Sequence, residues 1–145
     1  MGLSLNRAGT QETIMTLKGK TKAQIDAEKL EQARQSAIQA INNHKEILFK
    51  RGFAFDGEQY PLDIGAQVAY QALQTAISTG MQTNAFVITV DNKTIEMDVE
   101  TFGRFAAQAF QRASEIVINA RAVKDRILVS NSIDAVQSLQ KEFCE

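Results

Sequence analysis

The stretch Lys50-Arg51-Gly52-Phe53-Ala54-Phe55-Asp56-Gly57-Glu58-Gln59-Tyr60-Pro61-Leu62-Asp63 packs three changes of local structure into fourteen residues. Lys50 and Arg51 put positive charge at the negative end of a helix, and Gly52 supplies the left-handed residue that ends it. Asp56-Gly57 between two short runs calls for a two-residue hairpin, because both central positions of a type I′ turn need positive φ. Phe53 and Phe55 project to one face of their strand, so that face is expected to be buried. Pro61 has no N–H for a ladder and belongs at a strand end or edge. Asp63 then offers an N-cap for a second helix. A helix, a hairpin and another helix in immediate succession predict an α+β fold.

Toward the N-terminus, Thr21 and Gln24 have the form of a capping box. Thr21 to Lys50 contains no proline or glycine and is rich in Ala, Gln, Glu and Lys, which predicts one long helix over residues 21–50. Its apolar face is thin: Ala27, Leu30, Ala37, Ile41 and Leu48 fall on helical spacing, but Arg34 and His44 interrupt the seam. Such a helix either docks on a neighbouring element or assembles with copies of itself. Ahead of it, residues 1–20 show no helical periodicity, and Gly2, Gly9 and Gly19 suggest an extended arm. Thr13-Ile14-Met15-Thr16-Leu17 contains strand-forming residues able to pair with a sheet edge on this chain or a neighbour. The candidate partner-binding residues are therefore Thr13, Ile14, Met15 and Leu17 of the arm and Leu30 and Ile41 of the seam. Met1 to Arg7 lacks a basic region followed by an apolar run and does not read as a secretory signal.

Toward the C-terminus, residues 51–145 read as a compact α+β unit. A helix from Ile64 to Thr79 is expected to close at Gly80, with Val68, Ala72, Ala76 and Ile77 on its inner face and Leu73 at the margin. Phe86 to Val90 reads as a buried strand, Asp91-Asn92-Lys93 as a turn and Thr94 to Met97 as the returning strand. Asp98 caps a helix from Val99 to Leu128. Its stripe runs through Phe102, Phe105, Ala106, Ala109, Phe110, Ala113, Ile116, Val117, Ala120, Val123 and Ile127. A short last helix spans about Ser132 to Phe143. The expected architecture is three main helices with two short β-hairpins packed on them, plus the extended N-terminal arm.

The chemistry-bearing residues are few. Sixteen basic and seventeen acidic residues leave a formal charge of −1, which offers no electrostatic footprint for nucleic acid or an anionic membrane. His44 is the only histidine and Cys144 the only cysteine, so neither an internal disulfide nor a typical zinc site is expected. Asp56, Asp63, Asp91 and Asp98 are accounted for as turn or capping residues. No Gly-rich phosphate loop with its lysine occurs. No catalytic, cofactor-binding or metal-binding residue is assigned, no enzyme activity or cofactor is expected, and association with other proteins is the expected role.

The run from Lys50 to Asp63, together with Thr89-Val90-Asp91-Asn92 and Ala120-Arg121-Ala122-Val123-Lys124-Asp125-Arg126-Ile127, resembles a phage-encoded domain of unknown function. That domain recurs in tail-fibre and tail-fibre-assembly proteins. The likeness covers about residues 45–140. It implies a role in a bacteriophage tail, with synthesis in the host cytoplasm, as a structural protein of the tip, baseplate or fibre attachment or as a fibre-assembly chaperone. The implied partners are other tail proteins or further copies of the chain.

Overall fold

The computed structural model of the protein describes residues 19–145. In chain order they form α1 (Lys22–Arg51), β1 (Phe53–Phe55), β2 (Glu58–Tyr60), α2 (Ile64–Ser78), β3 (Asn84–Ile88), β4 (Thr94–Asp98), α3 (Val99–Leu128) and α4 (Ile133–Cys144). The strands make two separate antiparallel hairpins, β1–β2 and β3–β4, so the fold is α+β.

Local chemistry explains the boundaries. The Thr21 hydroxyl accepts from the Gln24 N–H at 3.2 Å, and the Gln24 side-chain oxygen accepts from the Thr21 N–H at 3.0 Å, which completes the capping box of α1. At its other end Gly52 takes φ 69° and donates to the Leu48 carbonyl. Asp56 and Gly57 both have positive φ, as a type I′ turn requires. Behind α2, Gly80 donates to the Ile77 carbonyl and Met81 to the Ala76 carbonyl, the paired bonds of a Schellman ending. Asp63, Asp98 and Ser132 cap α2, α3 and α4.

Helix α3 divides the interior into two cores. Around its first half, Phe105 packs against the rings of Phe53, Phe55, Tyr60, Tyr70 and Phe102, with centroid separations of 4.8 Å to Tyr60 and 5.0 Å to Tyr70. Aromatic pairs of this kind add about 0.5–1.5 kcal/mol each beyond the area they bury. Both hairpins, α2 and Phe49 of α1 close this core. Around its second half, Ala120 and Ile127 meet Ala37 and Ile41 of α1 and Val136 and Leu139 of α4.

The long first helix thus docks within its own chain. It runs antiparallel to α3, with Asn42 bonded to Lys124 and Arg34 to Ser130. It runs alongside α4 in the same direction, with Leu30 near Ile133 and His44 against Phe143. Arg34 and His44 do not weaken the seam as their polarity suggests. The Arg34 guanidinium gives two hydrogen bonds to the Ser130 carbonyl, at 3.2 and 2.6 Å, at the negative end of α3. The His44 ring meets Phe143 edge-on at 5.6 Å.

Three expectations about faces are corrected. Ala27 is exposed, on a shallow depression that it lines with Ser132 and Asp134 at the start of α4. On α2, Val68 and Ala72 face outward, and the buried side is Ala66, Tyr70, Leu73 and Ile77. Tyr70 sets this rotation: its ring lies on Phe105, and its hydroxyl donates to the Pro61 carbonyl at 2.6 Å. On α3, Val117 is half exposed, because its neighbour Ile116 takes the inward position.

Candidate functional site

Of the partner-binding residues read from the sequence, Thr13, Ile14, Met15 and Leu17 lie outside the described residues. Ile41 is fully enclosed by α3 and α4 and holds the second core together, so it offers nothing to a partner. Leu30 is half-buried at the edge of that core and lines a shallow depression with Lys29, Ile133 and Asp134. The structure does not bring these two seam residues into a shared surface.

A different place has the features of a docking site. Expected as a buried strand, the Phe86 to Val90 run instead alternates: Ala85, Val87 and Thr89 point into the core, while Phe86, Ile88 and Val90 point out. Phe86 is 57% exposed and Ile88 54%. The cause is the partner strand. Register pairs Phe86 with Glu96 and Ile88 with Thr94, so this side of the hairpin is the wet one. The alternation of Thr94, Glu96 and Asp98 with Ile95 and Met97 is the sequence signal that reveals it.

Helix α2 flanks β3, and the two elements enclose a groove of about 380 Å³. Its floor and walls include Ala66, Ala69 and Leu73 from α2 and Phe86 and Ile88 from β3, with Asp63 at one end. The small side chains of Ala66 and Ala69 and the bare backbone of Gly65 leave the space open, while Tyr70, anchored through its hydroxyl on Pro61, fixes the base. Burial pushes the Tyr70 phenol well above its ordinary range, with the Asp63 carboxylate adding to the rise, so it stays a neutral donor to Pro61. The lining is chiefly apolar, with Asp63, Thr89 and the Tyr70 hydroxyl as its polar side-chain groups.

Several polar side chains elsewhere make contacts within the fold. The Asp98 carboxylate accepts from the Thr101 N–H at 2.7 Å, which holds it below the usual carboxylate range. Cys144 sits half-buried against the Ala40 carbonyl at 3.9 Å, and burial pushes its thiol up. Lys93 reaches Glu58 at 3.5 Å and ties the two hairpins together. Among the described residues, no group of three or more His, Cys, Asp or Glu side chains could hold a metal ion, and no helix is long and apolar enough to cross a membrane.

No curated protein and no solved structure matches the chain. One family model, described as a domain of unknown function (DUF4376), matches residues 32–140. The match begins earlier in α1 than the likeness over about residues 45–140, and so takes in Ala37 and Ile41 of the second core. It spans both cores and the whole α2–β3 groove, about three-quarters of the sequence, and the chain belongs to this DUF4376 family.

Proposed function

We propose that the chain is a non-enzymatic structural component of a bacteriophage tail, at the tip, baseplate or fibre attachment, and that it acts by binding other proteins. One observation carries the binding part: Phe86 and Ile88 stand exposed side by side on the rim of an apolar groove while the cores beside them are closed. Apolar surface of this kind, edged by carboxylates such as Asp63 and Glu96, is characteristic of protein contact sites. The tail placement is supported by the resemblance of the Lys50 to Asp63 run and its companions to a phage-encoded tail domain. Near-neutral charge fits protein partners better than a polyanion.

The test is quantitative mass spectrometry of purified virions of a phage that encodes the chain, scaled to the major tail-tube protein. Several copies per particle are expected. Absence from particles, with copurification of a fibre protein from the lysate, would replace this role with that of an assembly chaperone.

A further inference from the structure

One wall of the α2–β3 groove is an open strand edge. The Thr89 N–H donates to the Lys93 carbonyl at 2.9 Å across the β3–β4 turn. In the observed register, the residues that exchange ladder bonds with β4 are those in step with Thr89, namely Val87 and Ala85. The N–H and C=O groups of Phe86 and Ile88 therefore point away from β4, on the side where α2 lies. Val90, next in that step, donates to the Gln59 carbonyl at 2.8 Å. Strand β2 thus touches the edge once, and then Pro61, which has no N–H, leads the chain off into α2. Among the described residues, no backbone group takes up the edge groups of Phe86 and Ile88.

An unpaired edge beside an apolar groove is the geometry that accepts an added strand: main-chain bonds hold the segment and alternate side chains enter the groove. We infer that this edge receives Thr13 to Leu17 of a second copy of the chain, laid between β3 and α2. The inference rests on the protein-binding reading above but not on the placement in a tail. Thr13, Ile14 and Thr16 are β-branched and suit a strand. In an extended segment Met15 and Leu17 fall on one side, to meet Ala69 and Leu73, and Ile14 falls on the other, beside Phe86 and Ile88.

Reach requires the second copy. Thr21 caps the start of α1, whereas Phe49, near its end, packs in the same core as Val87 of β3. At 1.5 Å per residue these ends of α1 are about 40 Å apart. Met15 lies six residues before Thr21, a span of roughly 20 Å at full extension. A chain's own arm falls short of its own groove, so the arm that fills it has to come from a neighbour. The contact is head-to-tail, so repeating it builds a ring or a filament.

Sedimentation of the full-length chain over a range of concentrations tests this, using two variants checked for folding by circular dichroism. Ile14→Pro removes an N–H from the arm, and Ile88→Glu puts a charge on the groove wall at a half-exposed position. The wild-type mass is expected to rise with concentration, and each variant alone to remain a monomer. Mixed in equal amounts, they should form a one-to-one dimer that grows no further, since one variant keeps the groove and the other the arm. A wild type that is monomeric throughout, assembly indifferent to either substitution, or a mixture that fails to pair would overturn the inference. If assembly behaves as described but virions lack the chain, the tail placement fails and the inference stands. If Ile88→Glu blocks incorporation into virions while purified wild type stays monomeric, the groove holds a different tail protein and the inference falls.

Discussion

Gly52 passes so close to Tyr60 that a Cβ at position 52 would overlap the Tyr60 carbonyl oxygen. The backbone there has φ 69° and ψ −137°, a combination almost confined to glycine. Gly52 ends α1, while Tyr60 pairs with Phe53 across the first hairpin, so this approach sets the angle at which the helix hands over to the strands. Gly52→Ala should destabilise the protein by roughly 3 kcal/mol or more, combining backbone strain with a clash against rigid main chain. Gly57→Ala makes the control: it also has positive φ, but an added methyl meets nothing within 4 Å. Its cost should be about 1 kcal/mol. Urea unfolding of both variants checks the contrast.

The hydrogen bond from Tyr70 to Pro61 separates two contributions of one side chain. Tyr70→Phe removes only the hydroxyl and should cost about 1 kcal/mol, including the loss of a donor for the Pro61 carbonyl. Tyr70→Ala also removes the ring from Phe105 and should cost about 3–5 kcal/mol. Thermal unfolding of the pair gives both values.

Arg34 should matter more than its place on a polar helix suggests. Arg34→Ala deletes two hydrogen bonds to Ser130 at the end of α3 and should lower stability by about 1–2 kcal/mol. Arg121→Ala removes only an exposed contact to Asp125 on the same helix and should change stability by under about 0.5 kcal/mol. Parallel denaturation curves distinguish these two cations.

The Asp98 cap should be visible in the acid limb of the stability curve. Its carboxyl is held below the ordinary value of 3.8, first by the N–H of Thr101 and then by the Thr101 hydroxyl. A folded-state pKa below the unfolded one gives stability that is present above the unfolded value and lost as pH falls through the folded one. Asp98→Asn keeps a capping acceptor but has no proton to gain. The difference in stability between wild type and variant should shrink steadily below about pH 4, measured by urea unfolding at stepped pH.

Much of the fold was legible because its boundaries depend on local chemistry. Thr21 with Gln24, Asp56 with Gly57, and Asp98 each act within a few residues, and each stands where its pattern placed it. The rotation of α2 was not legible in the same way. Val68, Ala72, Ala76 and Ile77 make a passable apolar face, and only the tertiary contacts of Tyr70 with Phe105 and Pro61 select another. Likewise Arg34 looks like an interruption until Ser130, distant in sequence, is brought beside it. The groove was missed for a different reason. The apolar run from Phe86 to Val90 suggests a strand covered on both sides, and pairing with Glu96 and Thr94 is what leaves Phe86 and Ile88 in water.

The most direct measurement is the copy number of the chain in purified virions, for wild type and for a Phe86→Ser, Ile88→Ser double variant whose purified form melts within a few degrees of wild type. Both side chains are more than half exposed, so the fold should tolerate the change. The expected result is several wild-type copies per particle and a loss of tenfold or more for the variant, since ~1.4 kcal/mol of lost binding is already tenfold. Wild type missing from particles, or a folded variant incorporated at the wild-type level, would contradict a tail protein that binds through the α2–β3 groove.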